Sequence, residues 1–405
     1  MKADQKDPRE DILRTIRILK QNGVARNEIY IRSFEEENLR VLFFDKEQLE
    51  YTRKLHKDHS WENPLIVAFD SSGKLFNYPL TGKGPRKHVG VLNFAGVGPG
   101  GVCLMEQVSE KSTKVELSLG LTEWSVSVGV KDPIAQIYIS DFSWPIINSV
   151  FNSLMKTSVE KYLDERFEAM MNQEPPSETT AVYLIDKLHL VPIFLKRARQ
   201  MAGKEVGDLF CKVVLKILTA RSLMAIRKLW VAAMKVFAGE DVSEQNKEDL
   251  VEICGRIDLG VVEKSLQNLE NVDDCYEVQE FGASALRKKT KSFRYFSKIF
   301  EQYVDVCGSD DESRNPYKCK ELMNYFLSEY LGLLPFFTLA VFGEDSQLNY
   351  PTSTQVELYW RFMKQNVFYK QNVKDVKTAD YFGRVQAFNR DTSQIIFYLK
   401  LQKNL

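Results

Sequence analysis

The chain has 405 residues, 44% of them hydrophobic and 12% aromatic, which is enough for two or three packed units and excludes a disordered polymer. Its 55 Lys and Arg balance 55 Asp and Glu. That excludes a whole-chain basic field, so nucleic acid would have to be held through local patches.

No run approaches ~18 uninterrupted apolar residues, so no membrane span is expected. The polar start Met1-Lys-Ala-Asp-Gln-Lys-Asp7 argues against a secretory signal. None of the cysteines 103, 211, 254, 275, 307 and 319 lies in a C-x-x-C pair, so a zinc finger is not expected. Scattered cysteines fit a reducing compartment, and the expectation is a soluble intracellular protein.

Residues 1–60 read as an N-terminal helical segment. Ile12, Leu13, Ile16 and Leu19 fall at helical spacing and are followed by Gly23. Val41-Leu-Phe-Phe44 is a short apolar run, and Glu47 to His56 continues as a polar helix. A β-rich block follows, with strands expected at about 64–70, 88–95 and 102–108. Ser71-Ser-Gly73 turns the chain, a loop runs from Thr81 to Lys87, and Gly96 to Gly101 makes a tight turn. Residues 111–130 are ambiguous. Val115, Leu117 and Leu119 alternate like a strand, whereas Leu117, Leu121 and Trp124 share a helix face, and the helix is preferred. A fourth strand is expected at about 135–141. Ser143-Trp-Pro145 opens one long helix through about 170, with Pro145 in the tolerant first turn. Glu174 to Glu178 is a linker, and Ala181-Val-Tyr-Leu-Ile185 is a fifth strand.

The expected order is β-β-β-α-β-α-β, an α/β arrangement with the sequence of an RNase H-like mixed sheet. From about 190 to 345 strand signals vanish. Amphipathic helices replace them at about 190–202, 205–219, 222–238, 247–269, 280–306 and 317–331, broken by the loop 307–316. A last helix carries Gln355-Val-Glu-Leu-Tyr-Trp-Arg-Phe-Met-Lys364. The organisation expected is therefore an N-terminal segment (1–60), the first part of a core (61–189), an all-α insertion (190–345) and the end of the core (346–405).

Three acids stand out in this order. Asp70 and Asp141 end strands, and Glu357 lies in the helix after the insertion. Two strand-end carboxylates and one on a late helix can hold a pair of divalent ions for in-line attack on a phosphodiester. Each alone has a plainer reading, as a turn residue or a solvated helix position. Gly96-Val-Gly-Pro-Gly-Gly101 lacks the Gly-Lys-Ser/Thr ending of a phosphate loop and reads as a hairpin turn. Trp144, Trp230 and Trp360 read as core anchors. Two basic stretches, Lys196-Arg-Ala-Arg199 and Arg287-Lys-Lys-Thr-Lys-Ser-Phe-Arg294 with Tyr295 and Phe296, could contact phosphates or form solvated helix faces. Their aromatics read as core.

The motifs resemble those of eukaryotic DDE/D-type DNA transposases of the hAT, Mutator-like and Kyakuja-Dileera-Zisupton group. Phe69-Asp-Ser-Ser-Gly73 stands where that family places its first Asp, Ser140-Asp-Phe-Ser-Trp144 at the second, and Thr354-Gln-Val-Glu-Leu-Tyr-Trp at the last acid. Asp186-Lys-Leu-His189 matches the family's Cys-or-Asp-x-x-His motif after strand five. The resemblance covers about 60–400. It implies DNA cleavage and strand transfer with two Mg²⁺ or Mn²⁺ ions held by Asp70, Asp141 and Glu357. Asp186 and His189 would be accessory residues. DNA (element ends and target) would be contacted by Lys196, Arg197, Arg199, Arg287, Lys288, Lys289, Lys291 and Arg294. It further implies a nuclear location and a homo-oligomer. Two departures are visible. Ser353-Thr-Gln355 replaces the Asn that usually precedes the Val-Glu pair, and the family's N-terminal zinc finger has no counterpart in these residues. The alternative is a domesticated protein that binds DNA or chromatin without turnover.

Overall fold

The computed structural model describes residues 31–35, 40–79, 88–109, 113–239, 244–260, 283–304 and 315–363, except positions 132 and 256, with a few positions between 14 and 21 and at 262–263. The expected loop at 81–87, most of the breaker at 307–316, the helical stretch beyond 263, Cys275, Cys307 and everything after 363 lie outside these residues. The chain divides into two compact units, residues 1–156 with 353–405, and residues 157–352.

The first unit is mixed α/β. Its strands are β1 (Ile31–Glu35), β2 (Arg40–Phe43), β3 (Ile66–Pro79), β4 (His88–Val97), β5 (Cys103–Ser109) and β6 (Ile137–Ser140). They form one mixed sheet in the order β1-β2-β5-β4-β3-β6. Four neighbours pair antiparallel, and β3 pairs parallel with β6, placing Phe69 opposite Ser140. β1 and β2 correct the expectation of a helical segment over 1–60. Val41-Leu-Phe-Phe44 is a fully buried strand run, whose continuous apolarity carries no period to separate it from a helix. The polar stretch after it is helix α1 (Lys46–Asp58), closed at its start by a capping box between Asp45 and Gln48. The hairpin turn expected at Gly96 to Gly101 is tighter, spanning Gly98 to Val102, because Gly96 and Val97 still pair with Met105 and Cys103 of β5. Gly100 and Gly101 take φ of 73° and 76° there, a region that suits glycine.

The ambiguous stretch is helix α2 (Lys114–Val128), capped by Thr113 and ended by Gly129 at φ 65°. The single long helix expected from 143 is instead interrupted. α3 (Trp144–Val150) passes into a π turn (Phe151–Met155), and Lys156 adopts φ 52°. Hydroxyls fasten this stretch to α2: Ser149 Oγ donates to the Lys114 carbonyl at 2.9 Å, and Ser153 Oγ to the Ser118 carbonyl at 2.9 Å.

The second unit begins at α4 (Val159–Asn172) and strand β7 (Val182–Ile185), about thirty residues before the expected insertion boundary. Aromatic packing explains the shift. Tyr162 of α4 stacks on Phe336 at 5.7 Å, Tyr183 of β7 meets Phe336 edge-on at 5.4 Å, and Phe167 meets Tyr295 at 5.6 Å. The remaining helices are α5 (Lys187–Thr219), α6 (Leu223–Phe237), α7 (Glu244–Cys254), α8 (Ala283–Lys289), α9 (Lys291–Val304) and α10 (Lys320–Glu329). Phe194, Phe210 and Phe326 form part of their core, with centroids 5.4–5.7 Å apart.

α5 contains the expected break between 202 and 205. Gly203 takes φ 77° and ψ 172°, and the second arm returns so closely that a Cβ on Gly207 would lie 2.8 Å from the Arg199 backbone nitrogen. Backbone on both sides leaves nothing soft to yield. Gly207→Ala is expected to destabilise the protein by about 2 kcal/mol or more through overpacking, read as a lowered urea midpoint. An unchanged midpoint would show that the two arms are not packed this closely.

Candidate functional site

Strand pairing places two of the three acids. Asp70 follows Phe69 inside β3 and Asp141 follows Ser140 just after parallel β6, so the two acids lie at the same height on neighbouring strands. Asp70 does not end its strand as expected, because Ser71-Ser-Gly73 is not a turn but stays paired with Phe94, Asn93 and Leu92 of β4, and β3 runs on to Pro79. Both are partly buried. The Asp70 carboxylate accepts from the Ser71 backbone N–H at 2.6 Å. The Asp141 carbonyl accepts from the Ser143 N–H at 2.7 Å and from Ser140 Oγ at 2.8 Å. These bonds turn the chain out of β6 toward α3.

Glu357 stands in the first turn of α11 (Thr354–Phe362), where its N–H bonds the Ser353 carbonyl at 3.2 Å. α11 lies against β3, β4 and the turn at Pro99–Gly101. Val356, Tyr359, Trp360 and Met363 are buried there. The helix is thus brought to the strands that carry Asp70. Among the described residues, however, Asp70 and Glu357 belong to no set of three His, Cys, Asp or Glu side chains close enough to share one ion.

A fourth acid was missed by sequence reasoning. Asp70 pairs with Ala95 on β4, and Ala95 pairs with Glu106 on β5. Directly paired residues of antiparallel strands point to the same face, so Asp70 and Glu106 share a face, two strands or roughly 10 Å apart. Glu106 is completely buried, and the Tyr359 hydroxyl donates to its Oε2 at 2.8 Å. Burial pushes the neighbouring Cys103 thiol well above its ordinary range. The Glu106 charge adds to this, and a hydrogen bond with Tyr359 opposes it. The usable signal was an acid inside the mostly apolar strand Cys103-Leu-Met-Glu-Gln-Val108, but its partner lies 253 residues away.

In the second unit, Asp186 caps α5 and is fully buried. Its Oδ1 accepts from the Leu188 N–H at 3.0 Å, and its Oδ2 lies 3.3 Å from His189 Nδ1. The pair expected at this motif is therefore in contact. Lys187 Nζ sits 5.0 Å over the Tyr350 ring. Burial lowers the Lys187 pKa, against the opposing effect of Asp186. Burial, aided by the Asp186 charge, raises Tyr350 well above its usual value, and its hydroxyl donates to the Ile185 carbonyl at 2.9 Å.

The basic residues expected at DNA separate into two groups. Arg199 pairs with Asp208 and Glu263, both at 2.5 Å, and its pKa is raised chiefly by the Asp208 hydrogen bond. Arg287 is 3% exposed and pairs with Glu329. Lys291 pairs with Glu168. Arg197, Lys288, Lys289 and Arg294 are exposed, and Lys196 is partly so. Arg197 lies 5.8 Å from the Tyr325 ring centroid. Phe296 is buried and Tyr295 packs on Phe167, so the interleaved aromatics belong to the core. Trp230 and Trp360 are buried as expected, whereas Trp144 is partly exposed.

No family model and no curated protein matches the chain.

Tyr359→Phe removes a donor to a buried carboxylate. A loss of about 1–3 kcal/mol is expected, measured by chemical denaturation. A change below about 0.5 kcal/mol would mean that Glu106 does not depend on α11.

Proposed function

We propose that the first unit is an RNase H-like domain of the transposase type, and that it cleaves DNA and transfers the freed 3′ end. The observation that carries this reading is the parallel register Phe69–Ser140, which sets Asp70 inside β3 at the same height as Asp141 at the end of β6. Three successive antiparallel strands β3-β4-β5, then parallel β6 beside β3, support the RNase H-like order. The return of α11 to β3 and β4 after a second unit supports Glu357 as the third acid.

The carboxylates of Asp70, Asp141 and Glu357 are hard oxygen donors of the kind Mg²⁺ or Mn²⁺ takes, with water completing the shell. Two such ions supply activation of the attacking oxygen and stabilisation of the leaving one. The protein's own part is placement. Asp70 and Asp141 are fixed by the sheet, and Glu357 by α11. In the cleavage step, water adds to phosphorus and the P–O3′ bond breaks, leaving a 3′-OH and a 5′ phosphate. In the joining step, that 3′-OH adds to a target phosphorus and displaces the target's own 3′ oxygen. Exposed Arg197, Lys288, Lys289 and Arg294 are the cations available for DNA phosphates in this reading, and the protein would act in the nucleus on element ends and target DNA.

A second reading has one observation in its favour. Asp70 and Glu357 fall in no three-ligand set among the described residues, as expected of a protein that binds DNA without turnover.

The readings separate on a supercoiled or duplex DNA substrate with Mg²⁺ or Mn²⁺. Metal-dependent nicking is expected, abolished by chelation and reduced at least ~10³-fold in Asp70→Ala and Asp141→Ala, because each removes a ligand of the reacting site. Equal activity in wild type and Asp70→Ala sinks the catalytic reading. DNA retention without cleavage favours the second. The slope of log affinity on log salt should lie near −4, as about four phosphate contacts give. A slope near −5.5 would mean that the paired Arg199 and Arg287 also reach the backbone.

A further inference from the structure

α6 turns Leu223, Ile226, Trp230, Ala233 and Phe237 into the core of the second unit. Its opposite side and one side of α7 wall an open cleft of about 360 Å³. The floor of the cleft is apolar. Met224 is 49% and Ile253 47% exposed, and Val231 between them is half-buried. Lys228 and Lys235 stand exposed in the same cleft, with exposed Arg227 at its flank. None of these three cations forms an ion pair among the described residues. They differ in this from Arg199, Arg287 and Lys291, which carboxylates hold. Asp249 is the one carboxylate lining the cleft, and it accepts from Gln245 Nε2 at 2.7 Å. Three cations therefore face one anion.

The order of side chains selects the occupant. Along α6, apolar and cationic residues alternate as Met224, Lys228, Val231 and Lys235. The two lysines stand seven residues apart, about 10 Å along the axis, a span that no single carboxylate or phosphate bridges. A DNA backbone would set hydrated phosphates against Met224 and Val231. A wholly apolar partner would strip water from two ammonium groups. A helix with an apolar face and acidic residues beside it meets both demands. Its apolar side chains seat between Met224, Val231 and Ile253, and its carboxylates meet lysines whose long stems let the ammonium stay at the rim. The groove between two packed helices is a ready seat for a third.

We infer that the α6–α7 cleft docks an acidic amphipathic helix of a partner protein, held by Met224, Val231 and Ile253 through apolar contact and by Arg227, Lys228 and Lys235 through charge. The inference is independent of the catalytic reading. None of these residues is placed at the acids or among the cations offered to DNA.

The test uses an end-blocked, fluorescent synthetic helix with leucines along one face and glutamates beside them, titrated onto the full chain. Binding is read by anisotropy, and its place by NMR of isotope-labelled methionine methyls. Saturable micromolar binding is expected, and the Met224 signal, assigned through Met224→Leu, should move. The joint variant Lys228→Glu with Lys235→Glu should weaken binding at least ~10-fold by opposing the glutamates. Met224→Asp should do the same by setting a carboxylate on the apolar floor. These positions are exposed, so circular dichroism and melting temperature should be retained. A probe with glutamine in place of glutamate, and one of the same composition in scrambled order, should each bind at least ~10-fold more weakly. A Met224 signal that stays in place overturns the inference, as does unchanged affinity in the joint lysine variant. Equal binding of the scrambled probe also overturns it, by reducing the cleft to a diffuse cationic surface. If duplex DNA displaces the probe and itself moves the Met224 signal, the occupant is nucleic acid and the inference fails.

Discussion

Strand β3 is hydrogen-bonded along both edges, antiparallel to β4 and parallel to β6, and the first unit is arranged around that double pairing. Side chains alternate across a strand, so the register that aligns Phe69 with Ser140 divides two faces in a single step. On one face Phe69 stacks on Phe94 at 5.6 Å and on Tyr138 at 6.0 Å. Gly96 has no Cβ there, which leaves room for Phe69; an added one would lie 2.8 Å from its ring. On the other face the same register aligns Asp70 with Ala95 and Ala95 with Glu106. A slip of one residue would exchange the aromatic layer with the acids.

The face bearing the acids is closed by a buried charge. A carboxylate removed from water is destabilising unless it is hydrogen-bonded. Glu106 receives the Tyr359 hydroxyl, so α11 stabilises the sheet as well as covering it. The dependence runs both ways. Tyr359 lies two residues beyond Glu357 in α11, so a helix docked through Tyr359 fixes the height of Glu357 along the helix axis. Glu106 is therefore a positioning residue for the third acid in the proposed site. Ala95 keeps the row between Asp70 and Glu106 low enough for the helix to settle.

The central strands were legible where a short apolar run marks them, as in Ala135 to Asp141 and Pro64 to Asp70. At the latter only the start was readable, because the polar Ser71-Ser-Gly73 that looks like a turn is strand, and β3 continues to Pro79. The α2 helix was legible from Leu117, Leu121 and Trp124. Its outer stripe was what made it look like a strand: Val115 and Leu119 supplied an alternation that serves no strand face and is instead exposed. β2 was hidden because four buried apolar residues have no period. The break after Val150 had no sequence signal, since neither Pro nor Gly marks the π turn. Glu106 was unreadable for a different reason. An acid within a strand ordinarily means a solvated face, and only the return of α11 from far along the chain makes it buried.

The basic runs show why charge clusters mislead when read as runs. Successive helical residues are separated by about 100°, so a cationic string on a helix faces several directions at once. In α8, Arg287 turns inward to Glu329 while Lys288 and Lys289 remain in solvent. At 196–199, Arg199 is bound by two carboxylates while Arg197 is exposed. The division also follows side-chain chemistry. The planar guanidinium keeps several donors satisfied at once in a buried pair, whereas ammonium groups are strongly hydrated and favour the surface. A chain of zero net charge can still present a cationic surface, but only with the members of each run that its own carboxylates have not already neutralised.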